Sequence, residues 1–207
     1  VDTAYVSVAN SAFFTGTAAT WAAWLFPTSL AGQACWLMKG FATTSWSFAL
    51  HWTPSAVDVR VFVTDAPTDA GGNAMDSTNG ALVANRWVHI TVVYDGSLAN
   101  ASRVKIYKNG QALATSVIGT LPTTLSVSTT ALRLGVCEGF GRPFIGNIGE
   151  IQIWRQRPLS ASQVAGLYTL SQQGYPGLLR RLTRHAAAAA GGAIPGFDHH
   201  YRQLRAA

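Results

Sequence analysis

The sequence predicts an all-β chain. It is a two-layer antiparallel jelly-roll β-sandwich over residues 1–170, carrying one short helix, followed by a C-terminal basic helix and extended arm over residues 171–207. Three observations lead there. From Trp87 to Tyr94 the chain alternates, with Val88, Ile90, Val92 and Tyr94 on one face and Trp87, His89, Thr91 and Val93 on the other, the period of a strand in a packed sheet. Asn109-Gly110 follows a second strand, Arg103 to Lys108, and is a hairpin turn pair because both residues tolerate positive φ. Hydrophobic residues make up 48% and charged ones only 12%, which suits a filled globular core and excludes a disordered chain.

The remaining elements follow in order. Tyr5 to Val8 reads as a first strand, and Ala12 to Gly16 as a turn. Thr20 to Phe26 is a strand stopped by Pro27, which has no amide hydrogen to give a ladder. Ala34 to Lys39 and Ser45 to Trp52 are two more, broken apart at Gly40. Val57 to Thr64 alternates, with Val57, Val59, Val61 and Val63 opposite Asp58, Arg60 and Phe62. A polar loop from Asp65 to Gly80 precedes a short strand at Ala81 to Ala84. After the hairpin, Gln111 to Val117 returns, Ala131 to Val136 is a strand, and Phe144 to Trp154 closes the sandwich. Ser160 with Gln163 three residues on is a capping box, so a helix runs from Ala161 to about Tyr168.

Several of these segments resemble the laminin-G/pentraxin group of concanavalin-A-like sandwiches. The first is Trp87-x-His89-Ile-x-Val-Val-Tyr94-Asp-Gly, followed by Val104-x-Ile-Tyr-x-Asn109-Gly. Tyr5-Val-Ser-Val, Trp24-Leu-Phe-Pro27, Lys39-Gly40 and Ser47-Phe-Ala-Leu50 precede it in family order, and Gly146-x-Ile-x-Glu150-Ile-x-Ile-Trp154 follows. The resemblance covers residues 5–168. It implies the sandwich but no single function, since this fold carries unrelated activities. The Phe-Asp-Gly strand that usually comes first is absent, so that sheet edge is expected to be short or completed by another chain. The passage from Leu167-Tyr168 to Tyr175-Pro-Gly-Leu-Leu-Arg-Arg is similar to the tails of laminin-G-like proteins encoded among bacteriophage structural genes.

The chemistry-bearing residues are sparse. Glycoside hydrolysis on this fold needs two or three carboxylates along one strand, and the strand through Glu150 offers that acid alone. No nucleophile stands beside a base: His51, His89 and His185 are isolated, and His89 on a strand face reads as structural. His199-His200 lacks the Cys or carboxylate partners of a zinc site. The chain is therefore read as no enzyme and as needing no cofactor, with calcium the one ion weighed. The resemblance brings calcium into question because such domains hold it in edge loops. Here Asp65, Asp69, Asn73, Asp76 and Asn79 supply oxygens, though in a spacing that any long solvated loop also shows.

Partners are read from surface and charge. Residues 1–173 carry a net charge of +2, whereas 174–207 hold five Arg and one Asp, a net of +4. Leu178, Leu182, His185 and Ala189 recur at helical spacing beside Arg180, Arg181 and Arg184, and the end adds His199, His200, Tyr201, Arg202 and Arg205. Such an arm orders on docking, so those residues are the expected partner-binding set, with other protein subunits, including copies of this chain, as partners. Five arginines on no nucleic-acid fold argue against DNA or RNA. No apolar run of membrane-spanning length is present, and Val1 follows no signal segment, so a leader was removed or never existed.

Surface glycans are the other expected partner, with Trp46 and Trp52, and after them Trp36, as stacking candidates. Cys35 and Cys137 read either as two buried thiols or as one bridge. The leading expectation is a non-catalytic structural or adhesion module on a virion surface (capsid decoration, fibre or tail), docked through its arm. The alternative is a secreted lectin-like carbohydrate-binding domain. Both place the chain at a virion surface or outside the cell.

Overall fold

A computed structural model describes residues 5–11, 14–41, 44–53, 58–64, 73–78, 80–137 and 139–172. Two antiparallel sheets face each other. The larger uses β1 (Val6–Val8), β3 (Ala34–Phe41), β4 (Thr44–Thr53), β5 (Asp58–Val63), β6 (Ala74–Ser77), β10 (Thr115–Ile118) and β11 (Leu132–Leu134), in the order β1-β11-β3-β4-β5-β6-β10. The smaller uses β2 (Ala18–Pro27), β7 (Val88–Asp95), β8 (Val104–Lys108), β9 (Gln111–Ala112) and β14 (Gly146–Arg155), in the order β14-β2-β7-β8-β9. A separate hairpin pairs β12 (Val136–Cys137) with β13 (Arg142–Pro143).

The core lies where alternation places it. Val88, Ile90, Val92 and Tyr94 of β7 are buried between the sheets against Val59, Val61 and Val63 of β5 and Phe48, Leu50 and Trp52 of β4. Trp21 meets Phe48 across the gap with ring centroids 4.6 Å apart. The Tyr94 hydroxyl, carried into this apolar layer, donates to Pro122 O at 2.9 Å, which removes the cost of burying it unpaired. Lys39 is likewise buried: its ammonium donates to Asn10 Oδ1 at 2.6 Å and to Thr130 O, and burial lowers its pKa to about 8.

Asn109 and Gly110 take positive φ, 49° and 78°, as a tight turn of this kind requires. Gly110 has a second reason to be glycine. An added Cβ would stand 3.2 Å from both Ala165 Cα and Tyr168 Cβ of the helix above it. That helix, α1 (residues 161–172), begins with the capping box: Ser160 N–H donates to Gln163 Oε1 at 2.9 Å and Gln163 N–H to Ser160 Oγ at 3.3 Å. Thr20 Oγ1 accepts from Leu159 N–H (3.1 Å) and donates to Arg157 O (2.9 Å), tying the approach to α1 onto β2. Leu159 and Val164 then pack on Val93 and Tyr107, so α1 covers the middle of the smaller sheet's outer face.

Five expectations change. The loop expected from Asp65 to Gly80 holds β6, and the strand expected from Ala131 to Val136 divides into β11 and β12. Ala81 to Ala84 is no strand; Ala81 and Leu82 bury their side chains in the core, and β6 occupies the place beside β5. Gln111 to Val117 is two strands, because after β9 pairs with β8 the chain crosses to pair β10 with β6 in the other sheet. Among the described residues the helix continues past Tyr168 through residue 172. The two cysteines are buried free thiols.

Candidate functional site

The outer face of the smaller sheet carries two rows of side chains beyond the end of α1 that bears Tyr168. In the first, Asn147 of β14 pairs with Phe26 of β2, and Trp87, one residue before β7, extends the row. In the second, Gly149 pairs with Trp24 and Trp24 with His89. Their inward-facing neighbours Leu25 and Val88 are in the core, so alternation obliges these residues to point away from it.

The rows make an aromatic strip of two neighbouring ring groups. Phe26 and Trp87 have ring centroids 5.3 Å apart at 49°, and Trp24 and His89 5.2 Å apart at 58°. Tyr168 of α1 completes a triangle, 5.8 Å from Trp24 and 5.9 Å from His89. Exposure grows along the strip: His89 is buried, Trp24 and Phe26 are half-buried, and Trp87 is 47% exposed. Trp87 is held there by the turn before it. Asn85, at φ 59°, donates its N–H to Pro27 O at 2.7 Å and fixes the entry to β7 on the end of β2.

Asn147, opposite Phe26, is the polar residue of the first row. Asn147 and Arg86 are exposed, and Glu150 stands at a bulge where β14 slips register between Gly149 and Gln152, with φ 47°. Partial burial raises the Glu150 carboxyl above its ordinary range. Burial also lowers the His89 pKa to about 4, so its imidazole is neutral at pH 7 and serves as a flat ring rather than a cation.

A cleft of about 270 Å³ opens at the other end of α1, floored by Val93, Tyr107 and Leu159. Its Arg103 and Asp95 side chains are engaged internally. The Arg103 guanidinium donates to Leu98 O and Leu121 O, and Asp95 Oδ1 accepts from Ser97 N–H and Oγ. The aromatic strip is therefore the stronger candidate.

The residues expected from sequence fall elsewhere. Trp52 is a correction: at 1% exposure it lies in the core, its Nε1 donating to Gly32 O at 3.1 Å and its ring edge-on to Phe144, so it is unavailable as a platform. Trp36 is buried too, at a bulge of β3. Trp46 lies on β4, and its side chain is outside the described residues, as are Asp65, Asp69 and Asn79. Of the remaining calcium candidates, Asp76 is held by Arg60 at 2.5 and 2.6 Å, and Asn73 Oδ1 accepts from Thr120 N–H at 3.0 Å. Among the described residues no three His, Cys, Asp or Glu side chains are grouped to hold a metal. The arm residues Arg180, Arg181, Arg184, His199, His200, Tyr201, Arg202 and Arg205 all lie outside the described residues. Sequence reasoning passed over Trp87 as a platform, although the strand alternation had already placed it opposite the core-facing Val88.

A laminin-G family model, described as the concanavalin A-like lectin/glucanases superfamily, matches residues 2–165. No curated protein matches the chain. Among solved structures, a heptameric SAP-like pentraxin from Limulus polyphemus is similar with a TM-score of 0.55 and 14% identity, over 77% of this chain and 70% of that one. The CBM40 of Ruminococcus gnavus IT-sialidase, bound to α2,3-sialyllactose, is similar with a TM-score of 0.57 and 16% identity, over 75% and 84%. Domain 4 of an extracellular arabinanase from Geobacillus stearothermophilus, in complex with arabinotriose, gives 0.51 and 21%, over 74% and 67%. At these identities the likeness establishes the fold.

Proposed function

Because this chain belongs to the concanavalin A-like lectin/glucanases superfamily, we propose that it is a non-catalytic, lectin-like module that lays a sugar against Trp87 and Phe26. The carrying observation is the exposed Trp87 indole beside Phe26 on an otherwise packed sheet face. A sugar ring presents an apolar C–H face and a polar edge. The first packs flat on an aromatic ring, and the second needs donors and acceptors at the rim, where the exposed Asn147 stands opposite Phe26. The sugar ligands in the CBM40 and arabinanase-domain structures support the same reading. The single carboxylate of β14, Glu150, supports binding over hydrolysis, which divides acid and nucleophile or base between two.

A glycan array followed by calorimetry tests this on the full chain and on Trp87→Ala. The expected result is a bound oligosaccharide whose affinity falls at least about tenfold in the variant, as for the loss of an aromatic anchor. An array without binding, or equal affinity in the variant, overturns the reading.

A narrower reading adds the arm. The +4 net charge of residues 174–207 supports docking of the sandwich on a larger assembly, such as a virion surface, through residues 171–207. It rests on the sequence and is separated from sugar binding by truncation.

A further inference from the structure

Away from the aromatic strip, on the outer face of the larger sheet, a small cluster joins Cys35 of β3, Met38, Ala49 of β4 and Cys137 of β12, flanked by Phe62 and Phe140. Cys35 is 0% and Cys137 2% exposed. The local chain path brings them together. β11 pairs with β3 as far as Leu134↔Leu37, and Gly135 N–H then donates to Trp36 O at 3.1 Å, so the chain continues beside β3 into β12. There Cys137 packs in the same buried cluster as Cys35, whose thiol donates to Leu37 O at 3.5 Å. The β12–β13 hairpin is laddered to itself alone among the described strands, through Val136↔Pro143 and Cys137↔Arg142. Packing rather than a backbone ladder seats it on β3.

We propose that Cys35 and Cys137 are a disulfide-forming pair that closes during folding wherever a thiol–disulfide oxidant is present, stapling the β12–β13 hairpin to β3. In the exchange, one cysteine thiolate attacks the oxidant's S–S bond, forming a mixed disulfide and releasing one small thiol. The second thiolate then attacks the protein sulfur of that mixed disulfide and releases the other small thiol. The protein loses two electrons and two protons, and the oxidant, glutathione disulfide for example, is reduced to two thiols.

Folding is the time for this step. In the finished reduced fold both sulfurs are out of solvent, and burial followed by the Cys137 neighbour raises the Cys35 thiol well above its ordinary value, so little thiolate is available. The link spans about a hundred residues, a separation at which a crosslink restricts the unfolded chain strongly. It also fixes the segment that carries Phe140 and Arg142, whose guanidinium lies 5.0 Å from the Phe140 ring centre. None of this depends on the sugar-binding reading.

The test refolds the full chain from denaturant in a glutathione redox buffer and, separately, in excess reductant. Each product is denatured, alkylated and weighed intact. The expected glutathione product is a monomer-mass chain about 2 Da lighter than the reduced one that takes up no alkyl group, with a Tm roughly 5–15 °C higher. Cys35→Ala/Cys137→Ala keeps two small apolar side chains in place, and its Tm is expected to be the same in both buffers. Two alkylated thiols after glutathione refolding, a bridge between chains, or an equal buffer-dependent Tm shift in the double variant overturns the proposal.

Discussion

Trp24 and His89 stand opposite each other on β2 and β7, ring centroids 5.2 Å apart, and Tyr168 of α1 closes over both. The contact links three levels of the molecule. Strand alternation puts the two rings on the outer face, the capping box and Thr20 fix where α1 begins, and the helix then shields His89 while leaving Phe26 and Trp87 uncovered. The Tyr168 ring thus marks the boundary between the packed face and the exposed Trp87.

The same shielding gives the fold a defined response to acid. His89 and His51 are both 2% exposed and each has a pKa of about 4, mainly through burial; for His51 the nearby Arg60 and Arg142 act in the same direction, against Trp52 O and Asp76. Their folded values lie below the unfolded value near 6.5, so the unfolded chain binds protons first as pH falls. Stability is full above about pH 7 and declines between about 6.5 and 4, by about 2 kcal/mol for each histidine at pH 5. Urea unfolding at pH 7 and pH 5 measures this. Equal midpoints would show that neither imidazole is held neutral by the fold.

Gly96 closes β7 where two backbones nearly touch. Its N–H donates to Thr17 O at 2.8 Å, and a Cβ there would fall 1.9 Å from Thr123 O, a backbone atom with little freedom to move. Gly96→Ala is therefore expected to cost about 1–3 kcal/mol, as overpacking does. Gly166→Ala serves as contrast, because an added Cβ in α1 meets nothing within 4 Å, and alanine favours a helix by up to about 1 kcal/mol. Thermal melts of the two variants should move in opposite directions; a harmless Gly96→Ala would contradict the close approach of the loops.

Truncation after Gln172 separates the sandwich from the arm. Light scattering of the full chain and of the truncation, each with and without EDTA, is expected to show association in the full chain and a monomer after truncation. The truncated chain should keep the full chain's affinity for any sugar that depends on Trp87. EDTA is expected to change neither mass, since Asp76 is committed to Arg60 and Asn73 to Thr120. Monomers throughout would remove self-association through residues 171–207.

How far the sequence could be read depended on the range of the interaction concerned. The two faces of β7, the turn at Asn109-Gly110 and the Ser160–Gln163 cap are local, set by neighbours within four residues, and all three stand in the structure as read. Gln111 to Val117 failed as one strand because its second half pairs with β6, a partner some forty residues earlier that no local pattern announces. Ala81 and Leu82 were misread for a related reason: apolar residues enter a core without a ladder when a neighbouring strand, here β6, already fills the sheet position.

By itself, then, the sequence determined the class of fold, the inward residues of β5 and β7 and the position of the helix start, since periodicity and capping are short-range. Only the tertiary structure decided which tryptophans meet water. Trp52 and Trp87 both occupy or adjoin aromatic strands, yet one is 1% and the other 47% exposed. The difference lies in what covers each ring: the opposing sheet and Phe144 enclose Trp52, while Tyr168 of α1 packs on Trp24 and His89 and Trp87 stays exposed. Solvent exposure is a property of packed layers, and the residues forming the layer are distant in the chain. The meeting of Cys35 with Cys137 is of the same kind, made by a strand that runs on beside β3 after its ladder has ended.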